Sequence, residues 1–283
     1  MAGGLQPDPS SVDYLSQVAA SIQKLDAFYG LLASVRWQAK PLVDSNAQSG
    51  TWENCLISGE AWYGTMPQAP GQPPMRSWRS KSLDGLFDAF DPQDTAANLI
   101  APLGALAAVE DEIRAAGGAV TAFQRNLVAT KLAAIGQWLA QKSALYKESF
   151  DQLKNCIGGV RAFQTQMEQD NRTYQFCVDR FYQMDPFSVA ARQVYYLNKR
   201  VIEVAKTLED PNEQIVLAWS SMQGLLDGVT QKVAKAATSD IGTTLQTLNI
   251  GASLKEWPTL CEMAQKYRPG APPAVPPPPD GFG

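Results

Sequence analysis

The residue type that most often does chemistry is missing from this chain: there is no histidine among its 283 residues. Ser-His-Asp and Cys-His hydrolase centres, imidazole zinc sites, His-ligated haem and di-iron bundles built on Glu-x-x-His all need that ring nitrogen. Carboxylates and thiols remain. Asp84, Asp88, Asp91 and Asp94 crowd together in LDGLFDAFDPQD. On a helix the first three share one face, and paired carboxylates are the oxygen ligands that Mg²⁺ or Ca²⁺ prefers. A trinuclear metal site of the isoprenoid type would need a second cluster with adjacent aspartates, which the sequence does not contain. The same helix would put Leu83, Leu86, Phe87 and Phe90 on its other side, so the cluster also reads as the solvated face of an amphipathic turn.

Cys55, Cys156, Cys177 and Cys261 form no Cys-x-x-Cys pair and no metal-ligand spacing, and are expected to be reduced, mostly buried thiols. Phosphate-cradling, dinucleotide-binding and nucleophile-elbow motifs are absent from the sequence, which removes the usual signposts of a nucleotide-dependent or acyl-transfer enzyme. The expectation is a non-enzyme without metal or cofactor. A helical metal-dependent enzyme using Asp84, Asp88 and Asp91 stands as the third reading.

The elements that would position these residues are helices. Leu15, Val18, Ile22, Leu25, Tyr29, Leu32 and Val35 recur in steps of three and four behind the capping-box-like Ser10-Ser11-Val12-Asp13, predicting an amphipathic helix that ends near Lys40-Pro41. Residues 45–93 break the pattern with PQAPGQPP and scattered Trp52, Trp62, Tyr63 and Trp78, and read as an irregular insertion or small subdomain pinned by its tryptophans. From about Val120 to Asp185 there is no proline, and Phe150, Leu153, Ile157, Val160, Met167, Tyr174, Val178 and Phe181 make one seam. Gly158-Gly159 is the place for a kink or break. Pro186 and Pro211 then open two further helices, read as antiparallel neighbours. The predicted fold is all-α: an elongated antiparallel bundle with long coiled-coil-like helices. Its parts are a first helix at 1–44, the Trp/Pro-rich insertion at 45–93, the bundle at 94–267 and a Pro-rich tail at 268–283. The tail, RPGAPPAVPPPPDGFG, is expected to be extended, dispensable for folding and available to a partner with an aromatic-lined groove.

Charge narrows the partners. With 24 Lys and Arg against 28 Asp and Glu, the formal charge of −4 gives no attraction for phosphate backbones or anionic lipid, so nucleic acid is not an expected partner. MAGGLQPDPSS lacks the basic start and apolar run of a secretory signal. The expected location is the cytoplasm as synthesised, with any release by a signal-peptide-independent route.

Residues 96–109 are uncharged, Glu110, Asp111, Glu112 and Arg114 follow, and residues 115–124 are uncharged again. Each run is too short to span a bilayer, which takes about 20 apolar residues, but together they resemble a small-residue hairpin with a charged tip. Leu99, Ile100, Leu103, Leu106, Val109, Val120 and Phe123 would be its membrane-inserting side chains. The functional expectation is a helical assembly protein that forms homo- or hetero-oligomers through its seams. Its most specific form is a membrane-active, pore-forming toxin-like subunit stored soluble. The alternative is an adaptor, chaperone, virion or secretion-system component without membrane activity.

Overall fold

Leu15, Val18, Ile22, Leu25, Tyr29, Leu32 and Val35 are all buried, on one side of helix α1, Ser11–Asp44, which continues past the expected end at Pro41. The structure is a computed structural model that describes residues 4–8, 10–44, 49–66, 76–180, 186–235 and 241–272. About 85% of the described residues are helical and none of them forms a strand: the chain is all-α. The remaining helices are α2 (Ser49–Tyr63), α3 (Trp78–Phe87), α4 (Pro92–Thr95), α5 (Ala101–Ala115), α6 (Ala122–Arg180), α7 (Pro186–Ala205), α8 (Gln214–Lys235), α9 (Ile241–Gln246) and α10 (Ile250–Tyr267).

Two expectations need correction. The stretch at 45–93 is not irregular where it is described, since α2 and α3 lie within it. Trp52, Cys55, Gly59 and Trp62 are buried, and their steps of three and four put them on one face of α2. Residues 67–75, the Pro-rich part, lie outside the described residues. Gly158-Gly159 does not break α6, which is helical for 59 residues. A Cβ at either glycine would meet nothing within 4 Å. Of the long seam, Phe150, Leu153, Ile157, Val160 and Met167 are buried, while the side chains of Tyr174, Val178 and Phe181 lie outside the described residues.

The described chain divides into two compact units. The first takes residues 1–18, 83–150 and 212–268; the second takes 19–82, 151–211 and 269–283. Helices α7 and α8, read as antiparallel neighbours, fall in different units.

In the first unit, α8 buries Ile215, Trp219, Met222, Leu226, Val229 and Val233, the seam the sequence displays. An aromatic cluster fills the centre. Phe90 and Trp219 lie 5.5 Å apart between ring centroids, Trp219 and Trp257 5.5 Å, and Trp138 and Trp257 6.1 Å. Tilted and edge-on pairs at such separations add to the burial of the rings themselves. The start of the chain is tied in as well: Leu5 donates its backbone N–H to the Leu248 carbonyl at 2.9 Å and accepts from Trp257 Nε1 at 2.7 Å.

In the second unit, α1, α2, the second part of α6 and α7 supply the core. Tyr29 stacks on Trp62 at 5.8 Å, and Trp52 Nε1 donates to the buried Asn198 Oδ1 at 2.9 Å. The chain after α10 belongs here too. Pro269 is buried, and the Gly270 carbonyl accepts a 2.6 Å hydrogen bond from Arg79 Nη2. The tail is therefore packed at its start, at Pro269 and Gly270; residues 273–283 lie outside the described residues.

Candidate functional site

The acidic cluster becomes a polar clasp inside the first unit. Asp84 and Asp88 both pair with Arg268, whose Nη2 reaches Asp84 Oδ1 at 2.9 Å and whose Nη1 reaches Asp88 Oδ1. Asp91 is not on their face: it sits in extended backbone after the 88–90 turn and accepts from the Asp94 N–H at 2.7 Å as the N-cap of α4. Asp94 accepts from Lys142 Nζ at 2.7 Å, Trp138 Nε1 at 2.8 Å and Asn98 Nδ2 at 2.9 Å. Partial burial opposes its ionisation, but hydrogen bonds from Lys142 and Trp138 and the lysine charge outweigh that and hold the carboxyl below its usual range. Gln265 Nε2 donates to the Phe87 and Phe90 carbonyls, closing α10 over the same turn. Each carboxylate is thus committed to a guanidinium, an ammonium or a helix cap. Among the described residues no group of three or more potential ligands could hold a metal ion.

The thiols are placed for packing. Burial raises Cys55, pushes Cys156 to about 11 and pushes Cys261 to about 11, so none is a thiolate nucleophile at neutral pH. The Cys177 side chain lies outside the described residues.

The candidate membrane-inserting residues divide sharply. Leu99, Leu103, Leu106 and Val109 are buried in the first unit, Ile100 and Val120 are half-buried, and Phe123 is 75% exposed. Helix α5 enters this unit through one wide turn, Ala96–Ile100, in which Ala101 donates five residues back to the Ala96 carbonyl. Pro102 gives the reason: it has no N–H for the Asn98 carbonyl and its ring crowds that group, so the helix widens ahead of it. Beyond it Leu103, Leu106, Val109 and Ile113 form the buried face of α5. No helix among the described residues is long and apolar enough to cross a membrane.

The tip between α5 and α6 is a built turn. Gly117 has φ +64°, the left-handed C-cap that glycine adopts without steric cost, and Gly118 N–H reaches back to the Ile113 carbonyl at 2.9 Å while Gly117 N–H reaches Arg114 at 3.2 Å. Helix α6 then starts on a reciprocal cap: Thr121 N–H donates to Gln124 Oε1 at 3.0 Å, and Gln124 N–H to Thr121 Oγ1 at 3.2 Å. The charged cluster lies one turn back from the tip and is internally paired, Arg114 with Glu110 at 2.8 Å and Asp111 at 3.2 Å, and Gln124 with Glu112 at 2.9 Å. Residues 115–124 of the turn carry no charged side chain, with Arg114 directly before them and Arg125 directly after. The turn exposes Ala115, Ala116, Gly117, Ala119, Thr121, Ala122 and Phe123.

What sequence reasoning missed is the set of distant partners: Arg268 for Asp84 and Asp88, Lys142 for Asp94, and Arg79 for Asp26. The local cap signals, Gly117-Gly118 and Thr121-x-x-Gln124, are legible in the sequence. Comparison with protein-family models, curated proteins and solved structures finds no match to this chain.

Proposed function

We propose that this chain is a non-enzymatic helical protein that meets a membrane with the tip between α5 and α6, and assembles with further copies or partners to act there. The observation that carries the reading is Phe123: a large aromatic ring, 75% exposed, at the end of a rigidly capped, uncharged turn. Such an anchor suits the interface between headgroups and acyl chains, where an aromatic ring gains burial without a backbone having to span the bilayer. The other end of the candidate segment supports a two-step picture. Leu103, Leu106 and Val109 are core residues in this structure, so deeper insertion requires α5 to leave the first unit.

This choice of residues decides the experiment. An arginine at Leu103 or Leu106 would unfold the unit as readily as it would block insertion. Phe123→Ser and Val120→Ser do not touch that core. Both should reduce flotation with phosphatidylcholine vesicles and dye release from them. Leu217→Ser, which removes an apolar side chain 53% exposed on α8, should leave both unchanged. Wild-type protein that neither floats nor releases dye at any lipid composition would move the assignment to an adaptor or structural component. The burial of four of the seven candidate side chains favours that second reading, in which the same exposed tip meets a protein.

A further inference from the structure

Arg79 is a buried cation whose guanidinium serves three oxygens from two residues, the Asp26 carboxylate and the Gly270 carbonyl. Its Nε donates to Asp26 Oδ1 at 2.8 Å and Oδ2 at 3.0 Å, and its Nη2 to Asp26 Oδ2 at 2.9 Å. The same Nη2 donates to the Gly270 carbonyl at 2.6 Å, the shortest of the four. Asp26 is 5% exposed and Arg79 7%. The carboxylate also accepts from Trp62 Nε1 at 2.9 Å, and Tyr63 Oη donates to the Asp26 backbone carbonyl at 3.0 Å. Helices α1, α2 and α3 therefore share one polar centre, and the chain after α10 supplies a further acceptor. A forked bidentate pair of this kind is strong only while its remaining donors are satisfied and water is kept out. Apolar burial does little to hold the segment, because Gly270 and Ala271 are exposed and only Pro269 is buried.

We propose that Pro269–Gly270 are a strap that closes the Asp26–Arg79 centre: docked, it gives Arg79 Nη2 its second acceptor and covers the pair; lifted, it admits water and loosens α1, α2 and α3 around it. The second unit then has a closed and an open form, selected by whether the chain is held at Gly270. A force or partner drawing the chain away at that point would be felt at Trp62 and Tyr63.

Amide hydrogen exchange by mass spectrometry tests this on the full chain, a chain stopped after Pro272 and a chain stopped after Arg268. The first two should protect residues 22–30 and 58–66 equally. The third should exchange there on the order of tenfold faster or more, as expected when a buried donor loses its acceptor, with peptides around Phe90 and Trp219 unchanged. Excess synthetic peptide covering 269–283 should restore protection. Equal protection in all three chains overturns the proposal, and so does loosening that spreads equally to Phe90 and Trp219. If the shortest chain does not fold, a site-specific protease sequence inserted after Arg268, or after Pro272 as control, allows the cut to be made on folded protein with the same readout. Arg79→Lys removes the fork, so on that background the cut after Arg268 should add nothing; a full additional effect would mean the strap acts through something else.

Discussion

Asp26 and Arg79 show how little of a buried ion pair can be read locally. Fifty-three residues separate them, Asp26 is a buried charge on the mostly apolar face of α1, and neither position carries a pattern that nominates the other. Breaking such a pair from one side strands a charge in the interior, which costs about 3–5 kcal/mol. Asp26→Asn is expected to lower the unfolding free energy obtained from urea denaturation by an amount in that range, whereas Lys24→Gln, on the same helix and half-exposed, should change it by less than about 0.5 kcal/mol. A second contrast uses two glycines. A Cβ at Gly85 would overlap the Ser149 side chain, while one at Gly158 meets nothing within 4 Å. Gly85→Ala should therefore destabilise by about 1–3 kcal/mol through overpacking, and Gly158→Ala should stabilise α6 by about 0.5–1 kcal/mol. Chemical denaturation of the two variants checks both signs.

At the scale of elements, the helices with long apolar seams were legible because burial enforces their period. Leu15 to Val35 on α1 and Ile215 to Val233 on α8 are buried as their spacing requires. α2 was obscured for a physical reason: Gly59 stands where a large side chain would mark the seam, because Tyr29 Cδ1 would lie 3.2 Å from a Cβ there, and the prolines that follow dominate the composition of the region. The aspartate cluster was legible as acidic and amphipathic, with Leu83, Leu86, Phe87 and Phe90 buried on the other side. Its cation was not, because Arg268 is 184 residues from Asp84. The tie between α4 and α6 carries its own pH dependence. Asp94 has a lowered folded value against an ordinary one of 3.8, so its contribution is complete above that ordinary value and is lost as pH falls through the lower folded one. Thermal unfolding should thus lose stability below about pH 4, and Asp94→Asn should flatten that acid limb.

Over the whole molecule, the absence of histidine removes the side chain that ordinarily titrates between pH 5 and 8. On the alkaline side, burial raises the Cys156 and Cys261 thiols from 9.0 to about 11 and Tyr63 from 10.0 to about 12. Raised groups favour the folded state below their unfolded values, and that advantage is lost as pH rises through the folded ones. The melting temperature should accordingly be level from about pH 5 to 8 and fall above about pH 9; a step near pH 6.5 would contradict it. A membrane-active form of this protein would then need contact, not mild acid, as its trigger, and dye release should be equal at pH 5.5 and 7.4.

The interleaving of the two units has a consequence for biosynthesis. Each is assembled from three stretches of chain, and the first is complete only with residue 268, the second only with the strap at 269–270. A ribosome delivering the chain from its N-terminus therefore releases α1, α2 and most of α6 before α7, α8 and α10 can complete either core. Part of the apolar face of those helices stays uncovered until then. Neither unit can be finished early and used as a template for the other, so folding of this protein is expected to begin in earnest only after Gly270 has emerged, and to depend until then on whatever shields nascent chains from one another.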